Sequence, residues 1–350
     1  MTKATLNVAY FEAWQHEAAE SHLEQFEEIN AVRLRYLDVT EDNMRALAAA
    51  DVYQVLSNRD ELPGQYFVTR EFLARCPNLL AVSTHGSGYD TVDLDACTEA
   101  GVIAVNQAGG NKQAVAEHAL GMMLCLASRL HEADKVVRRG GFTTREDLLG
   151  RDIRGKTVGI VGLGHIGTQV ARLCGTLFEM RVLAYDPYLS EAEFRERGAE
   201  PVGLHDLMQQ ADFVTIHCPR TAETTGMIGR AEIDLMRTGT YFISTARGGI
   251  HDEAALVDAL ADSRLAGAGL DVWDTEPPPA DHPLLQFETV IATPHTAGVT
   301  HESRRTVAMG TIDQLAAIYS GKRPPRLLNP TVWPAYAERF ESLMGKPAEA

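Results

Sequence analysis

The stretch KTVGIVGLGHIGTQVARLCGTLFEMRVLAYD, residues Lys156 to Asp186, decides the fold of this chain. It begins with a short apolar run rich in β-branched residues, which is typical of a strand buried on both faces of a parallel sheet. Gly162, Gly164 and Gly167 follow at once and lead into a helical pattern. In this G-x-G-x-x-G order, the glycines permit a tight turn, a close approach of the backbone to a pyrophosphate, and close packing of helix on strand. The free N–H groups that begin such a helix can hold the phosphates.

A second predicted strand, Arg181 to Tyr185, follows the helix and ends at Asp186. An acidic residue roughly 20 positions past the glycines can accept hydrogen bonds from the adenosine ribose. Its carboxylate would repel a 2′-phosphate, and Pro187 stands where an NADP enzyme often has a basic residue. A glycine motif alone also occurs in ordinary turns, but here strand, glycines, helix, strand and acid come in the required order. The sequence therefore predicts a dinucleotide site with NAD, rather than NADP, as cofactor.

Length and charge limit the classes of protein to consider. The chain has 350 residues, enough for two domains, and 45% of them are hydrophobic, as in globular proteins. The net charge of −16 argues against a nucleic acid or an anionic membrane as partner, because such partners require clustered Lys and Arg. A small anionic substrate requires only a local cationic site.

The cysteines and the apolar stretches indicate where the protein resides. The five cysteines are odd in number, widely spaced and in no C-x-x-C pair, so neither a disulfide framework nor a metal site is expected. The N-terminal residues lack the pattern of a secretory signal. The longest apolar stretch, Ala119 to Ala127, is far shorter than the roughly 20 residues of a membrane span. A cytoplasmic protein with reduced thiols is the natural expectation.

Strand and helix patterns alternate along the chain, which predicts parallel sheets covered by helices. Strands are expected at Leu6–Tyr10, Val32–Leu37, Val52–Ser57, Leu79–Ser83 and Val102–Val105, and in the second half at Asp212–His217, Tyr241–Ser244, Ala268–Asp271 and Val290–Ala292. After Ser83 comes THGSGYD, a glycine-flanked loop at a strand end, where α/β sheets usually bind ligands. An ordinary tight turn explains this loop almost equally well.

The change of domain is expected between the last strand of the first half and a long helix that begins near Gln113. Residues from Phe142 to Arg154 are polar and without a clear period, as in a connection. A second long helix, Gly298 to Tyr319, can return the chain to the first domain. Beyond Gly321 the tail is rich in proline and is predicted to be a surface strap.

Three ionisable residues, Arg247, Glu276 and His295, each come just after a predicted strand of the second half. Because the carboxyl ends of such strands face the cofactor crevice, the three side chains can converge there. Arg matches a carboxylate with its planar fork, His can exchange a hydroxyl proton, and Glu can fix the tautomer of that His. Taken singly, each has an ordinary explanation as a surface charge, a solvated acid or a loop histidine.

The segments VGLGHIG, YDP, HCP, STARGG, DVWDTEP and PHTAG, with THGSGYDTVD and AVAEHALG in the first half, resemble those of the D-isomer-specific 2-hydroxyacid dehydrogenases over nearly the whole chain. That resemblance implies two Rossmann-like, doubly wound parallel-sheet domains of the α/β class, with the NAD domain (106–298) inserted in a split substrate domain (1–105 and 299–350). It also implies a homodimer formed through the NAD domain.

The resemblance further implies roles for individual residues. His295 would be the acid/base, Glu276 its partner and Arg247 the carboxylate anchor. The implied cofactor contacts, besides the glycines, are His165, Ile166, Asp186, Cys218, Thr245 and Asp271, and the backbone of Ser87 and Gly88 would bind the substrate carboxylate.

The predicted reaction is hydride transfer between NAD(H) and a small D-2-hydroxy acid or 2-oxo acid. Two features leave the substrate open: the chain has Ser57-Asn58-Arg59 where phosphoglycerate enzymes of the family often carry an Arg-Ser pair, and Trp273 can either line the pocket or pack. The alternative is a non-enzymatic NAD-sensing binding protein, such as a corepressor, on the same fold. A second enzymatic alternative is a relative that acts on formate or phosphite, and it is disfavoured, since formate enzymes of this superfamily have an amide where Glu276 stands.

Overall fold

The computed structural model describes residues 5–36, 38–141 and 144–349. The chain divides into two compact units: the first comprises Met1–Asn111 and Thr300–Ala350, and the second comprises Lys112–Val299. The second unit thus interrupts the first in sequence.

In the part of the chain that the structure describes, the first unit opens with five strands and four α-helices in alternation. They are β1 Leu6–Phe11, α1 Ala18–Leu23, β2 Ile29–Leu34, α2 Thr40–Ala49, β3 Val52–Val55, α3 Arg70–Arg75, β4 Ala81–Thr84, α4 Leu94–Glu99 and β5 Ile103–Val105. The strands form one parallel sheet in the order β2-β1-β3-β4-β5, so the order reverses between β1 and β3. β2 begins three residues earlier than the predicted Val32, and the predicted end at Leu37 lies outside the described residues.

The described residues of the second unit form seven α-helices and seven strands. They are α5 Lys112–Ala127, α6 Leu130–Arg138, β6 Thr157–Val161, α7 His165–Phe178, β7 Arg181–Tyr185, α8 Glu191–Glu196, β8 Glu200–Pro201, α9 Leu204–Gln210, β9 Phe213–Ile216, α10 Arg230–Leu235, β10 Thr240–Ser244, α11 Glu253–Ala261, β11 Leu265–Leu270 and β12 Val290–Ala292. The connection expected from Phe142 onward begins with two residues outside the described part of the chain.

The second sheet is also parallel and has the order β12-β11-β10-β9-β6-β7-β8. The chain starts in the middle at β6, builds outward through β7 and β8, and then returns to β9 on the other side. Apolar side chains cover both faces of the sheet, as doubly wound folds require. The predicted fold class is therefore confirmed, and the strand order reverses between β6 and β9, where such sheets bind ligands.

The chain returns to the first unit through α12, His301–Tyr319, which begins after Thr300, whose hydroxyl accepts a bond from Ser303 N–H. It then forms α13, Trp333–Met344. The prediction of a surface strap is wrong for this segment, because Tyr336, Phe340 and Met344 are fully buried. Their spacing of four residues places them on one helix face, and proline is tolerated at the start of a helix, where an N–H has no partner in any case.

Between α12 and α13, the chain runs along the edge of the first sheet. Leu327 forms an antiparallel bridge with Val105 of β5, and Leu328 N–H donates to Ala104 C=O at 2.8 Å. The Asn329 side chain accepts from Ala104 N–H at 2.9 Å and donates to Val102 C=O at 3.0 Å. The edge strand β5 is thereby covered by later residues of the same chain.

Candidate active site

The glycine loop joins β6 to α7 in the conformation that the motif predicts. Gly162 has a φ of +89°, and a Cβ there would lie 2.6 Å from Cys218 N. A Cβ at Gly167 would lie 2.2 Å from Gly162 O, so this position requires glycine for helix and strand to approach. By contrast, apart from Gly164 and its two neighbours in the chain, no described heavy atom lies within 4 Å of a Cβ built at Gly164.

The open space at Gly164 adjoins the first amides of α7, at His165 and Ile166. The first N–H groups of a helix have no intrahelical acceptor and carry the positive end of its dipole. A loop without side-chain bulk beside such amides fits a pyrophosphate, because the phosphate oxygens need both close approach and N–H donors. The residues present thus fit the phosphates of a dinucleotide.

Asp186 follows β7 and is held beside this loop by two backbone donors. Its Oδ2 accepts from Leu163 N–H at 3.0 Å, and its Oδ1 accepts from Tyr188 N–H at 3.1 Å. Each carboxylate oxygen retains a second lone pair for a ribose hydroxyl. The position and the charge fit an unphosphorylated adenosine ribose.

Three further predicted contact residues lie at carboxyl ends of neighbouring strands. Cys218 follows β9 and adjoins Gly162, Thr245 follows β10, and Asp271 follows β11. Burial, which outweighs a bond from the backbone, raises the pKa of the Cys218 thiol to about 11, so this side chain is neutral near pH 7.

The predicted acid/base residue His295 lies between Glu276 and Arg247. Its Nδ1 is 2.7 Å from Glu276 Oε2, and its Nε2 is 3.5 Å from Arg247 Nη1. Because a guanidinium only donates, Nε2 presents its lone pair toward Arg247, and the ring proton resides on Nδ1. The structure therefore brings together the three ionisable residues expected from their positions after separate strands.

Glu276 is mostly buried and nevertheless remains an anion. Burial raises the pKa of its carboxyl, but the hydrogen bond with His295, the positive charge of that ring when it is protonated, the Trp273 N–H at 3.0 Å and the charge of Arg247 outweigh burial and hold that pKa below its ordinary value. The ionised carboxylate fixes the orientation of the His295 ring.

The loop that carries His295 is anchored by Asp271, whose side chain is fully buried. The carboxylate of Asp271 accepts from the Thr293 hydroxyl at 2.6 Å, from Thr296 N–H at 2.7 Å and from Ala297 N–H at 2.8 Å. The Asp271 carbonyl accepts from His295 N–H at 2.8 Å, and His295 itself has a φ of +54°. These bonds hold a left-handed conformation that a residue with a Cβ rarely adopts.

Two other residues brace this loop. Trp273 is buried and its indole N–H donates to Thr293 C=O at 3.1 Å, so this side chain is packed and bonded to the loop. His118 Nε2 lies 3.2 Å from the Thr293 hydroxyl and 3.9 Å from Asp271 Oδ1. The sequence pattern favours packing or capping for His118 over a distant bond, because the loop lies 175 residues further along the chain and no local pattern links the two.

In the first unit, Ser87 and Gly88 lie in the loop after β4. The Ser87 hydroxyl donates to Asn111 Oδ1 at 3.1 Å, and Asn106 Nδ2 donates to Ser87 C=O at 2.8 Å, so neighbouring side chains brace the loop. Arg59 donates to Asp90 C=O at 2.8 Å and lies over the ring of Phe67.

All five cysteines are free thiols. Within the described residues, we find no helix with the length and apolar character needed to cross a membrane.

Comparison with known proteins gives consistent matches. Residues 120–297 match the sequence model of the D-isomer specific 2-hydroxyacid dehydrogenase NAD-binding domain. The D-3-phosphoglycerate dehydrogenase of Archaeoglobus fulgidus is 38% identical over 79% of this chain and 52% of its own length. The glyoxylate reductase of Korarchaeum cryptofilum is 38% identical over 76% of this chain and 80% of its own length. The chain thus spans about half the length of the matched phosphoglycerate dehydrogenase.

Two solved structures that contain NAD are similar over almost the whole chain. The D-lactate dehydrogenase of Aquifex aeolicus, in complex with NAD and lactic acid, has a TM-score of 0.80 and 28% identity, and covers 92% of this chain and 99% of its own. The formate dehydrogenase of Staphylococcus aureus, in complex with NAD, has a TM-score of 0.76 and 28% identity, and covers 91% and 97%. Together with the match to the NAD-binding domain, these structures confirm NAD as the cofactor.

Proposed function

Because the chain belongs to the D-isomer specific 2-hydroxyacid dehydrogenase family, we propose that it catalyses the reversible oxidation of a small D-2-hydroxy acid to its 2-oxo acid with NAD. The observation that carries this proposal is the placement of His295 between an ionised Glu276 and Arg247, in the unit that also contains the glycine loop. A pure binding protein has no need of a proton acceptor held in this way.

The proton chemistry follows from the tautomer of His295. In the oxidation direction, Nε2 accepts the proton of the substrate hydroxyl while Nδ1–H remains bonded to Glu276. Bound NAD supplies the two-electron acceptor that takes the hydride from carbon 2 of the substrate. Glu276 stabilises the imidazolium that results, and in the reduction direction Nε2 returns the proton to the carbonyl oxygen.

Arg247 is proposed to bind the substrate carboxylate through its planar fork. Since its Nη1 lies 3.5 Å from His295 Nε2, a carboxylate bound there brings the adjacent hydroxyl within reach of the base. Ser87 and Gly88, in the first unit, are proposed as backbone donors to a substrate carboxylate, an assignment supported by their similarity to the loop of the family.

The cofactor is proposed to lie along the carboxyl ends of β6, β7, β9, β10 and β11. His165 and Ile166 would hold the pyrophosphate and Asp186 the adenosine ribose, while Cys218, Thr245 and Asp271 would adjoin the nicotinamide half. The first unit would then serve as the substrate domain.

A homodimer formed through the second unit and a cytoplasmic location complete the proposal. The helix α6, all of whose residues are described, has no buried residue, and Leu130 and Val137 are 54% and 75% exposed. An amphipathic helix with exposed apolar side chains supports contact with a second copy of the chain. Sedimentation of a dimer that a Val137→Asp variant converts to monomer would support this part.

The decisive experiment measures NADH oxidation by the purified protein with glyoxylate, hydroxypyruvate, pyruvate, phenylpyruvate, 2-oxoglutarate and 3-phosphohydroxypyruvate. The assay is repeated with NADPH, with His295→Ala, and with His301→Ala as a control at an exposed histidine. We expect turnover of a 2-oxo acid with NADH that only His295→Ala abolishes. Tight NADH binding without turnover of any of these acids would contradict the proposal and favour the NAD-sensing binding protein.

A further inference from the structure

The residue between the first two glycines, Leu163, has both of its backbone polar groups held by side chains. Its N–H donates to Asp186 Oδ2 at 3.0 Å. Its carbonyl accepts from Arg197 Nη1 at 2.7 Å and from the Thr168 hydroxyl at 3.2 Å. The peptide groups on both sides of Leu163 are therefore fixed in orientation, and the second of them leads directly to Gly164.

Arg197 reaches this carbonyl from the far end of α8. It is the C-cap residue of that helix, and its other terminal nitrogen, Nη2, lies 3.6 Å from Glu193 Oε1 on the preceding turn. The helix is fixed at its start by a capping box of Ser190 and Glu193 and at its end by the buried ring of Phe194. The helix α8 is thus fixed at both ends and holds the guanidinium of Arg197 beside the glycine loop.

We propose that Arg197 is a positioning residue for the bound dinucleotide, and this inference rests on the proposed placement of NAD at the glycine loop. The bond from Arg197 to Leu163 C=O fixes the orientation of the peptide group between Leu163 and Gly164. In that orientation, the backbone of Gly164 faces the proposed pyrophosphate. The guanidinium also adds a positive charge beside a loop that must hold two phosphates. Asp186 at the same loop carries the opposite charge, so Arg197 offsets its repulsion of the phosphates.

A purely structural role of Arg197 predicts a different effect on cofactor affinity. If Arg197 only held α8 in place, its loss would lower stability but would not change cofactor affinity selectively. Arg195 is a matched control, because it lies on the same helix, pairs with Glu191 at 3.4 Å and is 69% exposed. Replacing either arginine by Gln removes the same charge from the chain.

The test measures dissociation constants for NADH and for ADP-ribose, together with the melting temperature of the unliganded protein, for wild type, Arg197→Gln, Arg197→Lys and Arg195→Gln. For Arg197→Gln we expect both constants to rise about tenfold, the scale of one charged hydrogen bond. ADP-ribose should weaken as much as NADH, since the nicotinamide does not contribute to this contact. Arg197→Lys, which keeps the charge without the fork, should fall between wild type and Gln, and Arg195→Gln should stay within about twofold.

An NADH constant for Arg197→Gln within twofold of wild type, or an equal loss in Arg195→Gln, would overturn the inference. If Arg197→Gln also lowers the melting temperature of the unliganded protein, Arg197→Lys decides, and a Lys variant with wild-type stability and wild-type affinity would refute the positioning role. Failure of the wild type to bind NADH would overturn the proposed cofactor placement itself, and this inference with it.

Discussion

Replacing His251 by leucine should make the protein more resistant to acid. His251 is only 2% exposed, its ring lies against that of Phe242, and neither ring nitrogen has a hydrogen-bond partner among the described residues. Burial lowers the pKa of its imidazole to about 4, although Asp274 and Asp252 act in the opposite direction. In the unfolded chain the same group titrates near 6.5.

The sign and size of the effect follow from this difference. Below about pH 6.5 the unfolded state binds a proton that the folded state does not, so stability falls as the pH falls, until the folded pKa is reached. At about pH 5, one and a half units below the unfolded pKa, His251 should cost about 2 kcal/mol relative to neutral pH. His217 and His85 are buried with their pKa values lowered to about 3 and about 4, and they add losses of the same sign.

The free energy of unfolding of wild type and His251→Leu is measured by calorimetry at about pH 7.5 and about pH 5. Linkage predicts that the loss of stability between these two pH values differs between the two proteins. The acid-induced loss should be about 2 kcal/mol smaller in the variant, since every other group titrates equally in both proteins. Leucine has a similar volume and loses no hydrogen bond, so stability at neutral pH should be retained. His301→Gln, at an exposed position, should lose as much as wild type. Equal acid losses in wild type and His251→Leu would refute the claim that His251 stays neutral in the fold.

Three further predictions concern the site and the first unit. Glu276→Gln should lower kcat/KM about 100-fold and shift its pH profile, measured in the reduction direction, because the adjacent imidazolium loses its carboxylate; an unchanged profile would count against that role. Gly164→Ala should keep wild-type stability but bind NADH at least about tenfold more weakly in a fluorescence titration, because its methyl group enters the space proposed for the pyrophosphate. Gly167→Ala should bind NADH more weakly and also have a lower melting temperature, and equal NADH affinity of Gly164→Ala and wild type would place the phosphates elsewhere. Asn329→Ala should lower the unfolding free energy of the first unit by about 3 kcal/mol in a calorimetric scan, because it leaves a buried N–H and C=O without partners; a loss under about 1 kcal/mol would show that water replaces them.

Much of the candidate site could be predicted from the sequence because parallel sheets obey a simple rule. Strand ends on one edge converge, so Arg247, Glu276 and His295 could be placed together without knowing any distance. The glycine motif likewise carries its own geometry, since Gly162 and Gly167 are required by contacts with neighbouring backbone.

Other features depend on tertiary contacts that no local pattern encodes. The sequence around Arg197 predicts only a charged residue on a surface helix. Its bond to Leu163 depends on how the turn after α8 directs the side chain. The resemblance implies that Asp271 lies at the cofactor, and the structure adds that its carboxylate accepts three bonds from the His295 loop. The prolines beyond Gly321 predict a surface strap, whereas Tyr336, Phe340 and Met344 repeat every four residues and form the buried face of a helix.

The cover over β5 has a consequence for the order in which the chain folds during synthesis. Residues 326–329 and α13 leave the ribosome only after the whole second unit, Lys112–Val299, has been made. Until then the nascent first unit has an open strand edge and lacks the helices that bury one face of its sheet. The inserted unit can therefore complete its core first, although it starts later, and the amino-terminal half must wait until residues 326–344 have been translated. During that interval the open edge is the part of the nascent chain that most needs protection from pairing with other strands.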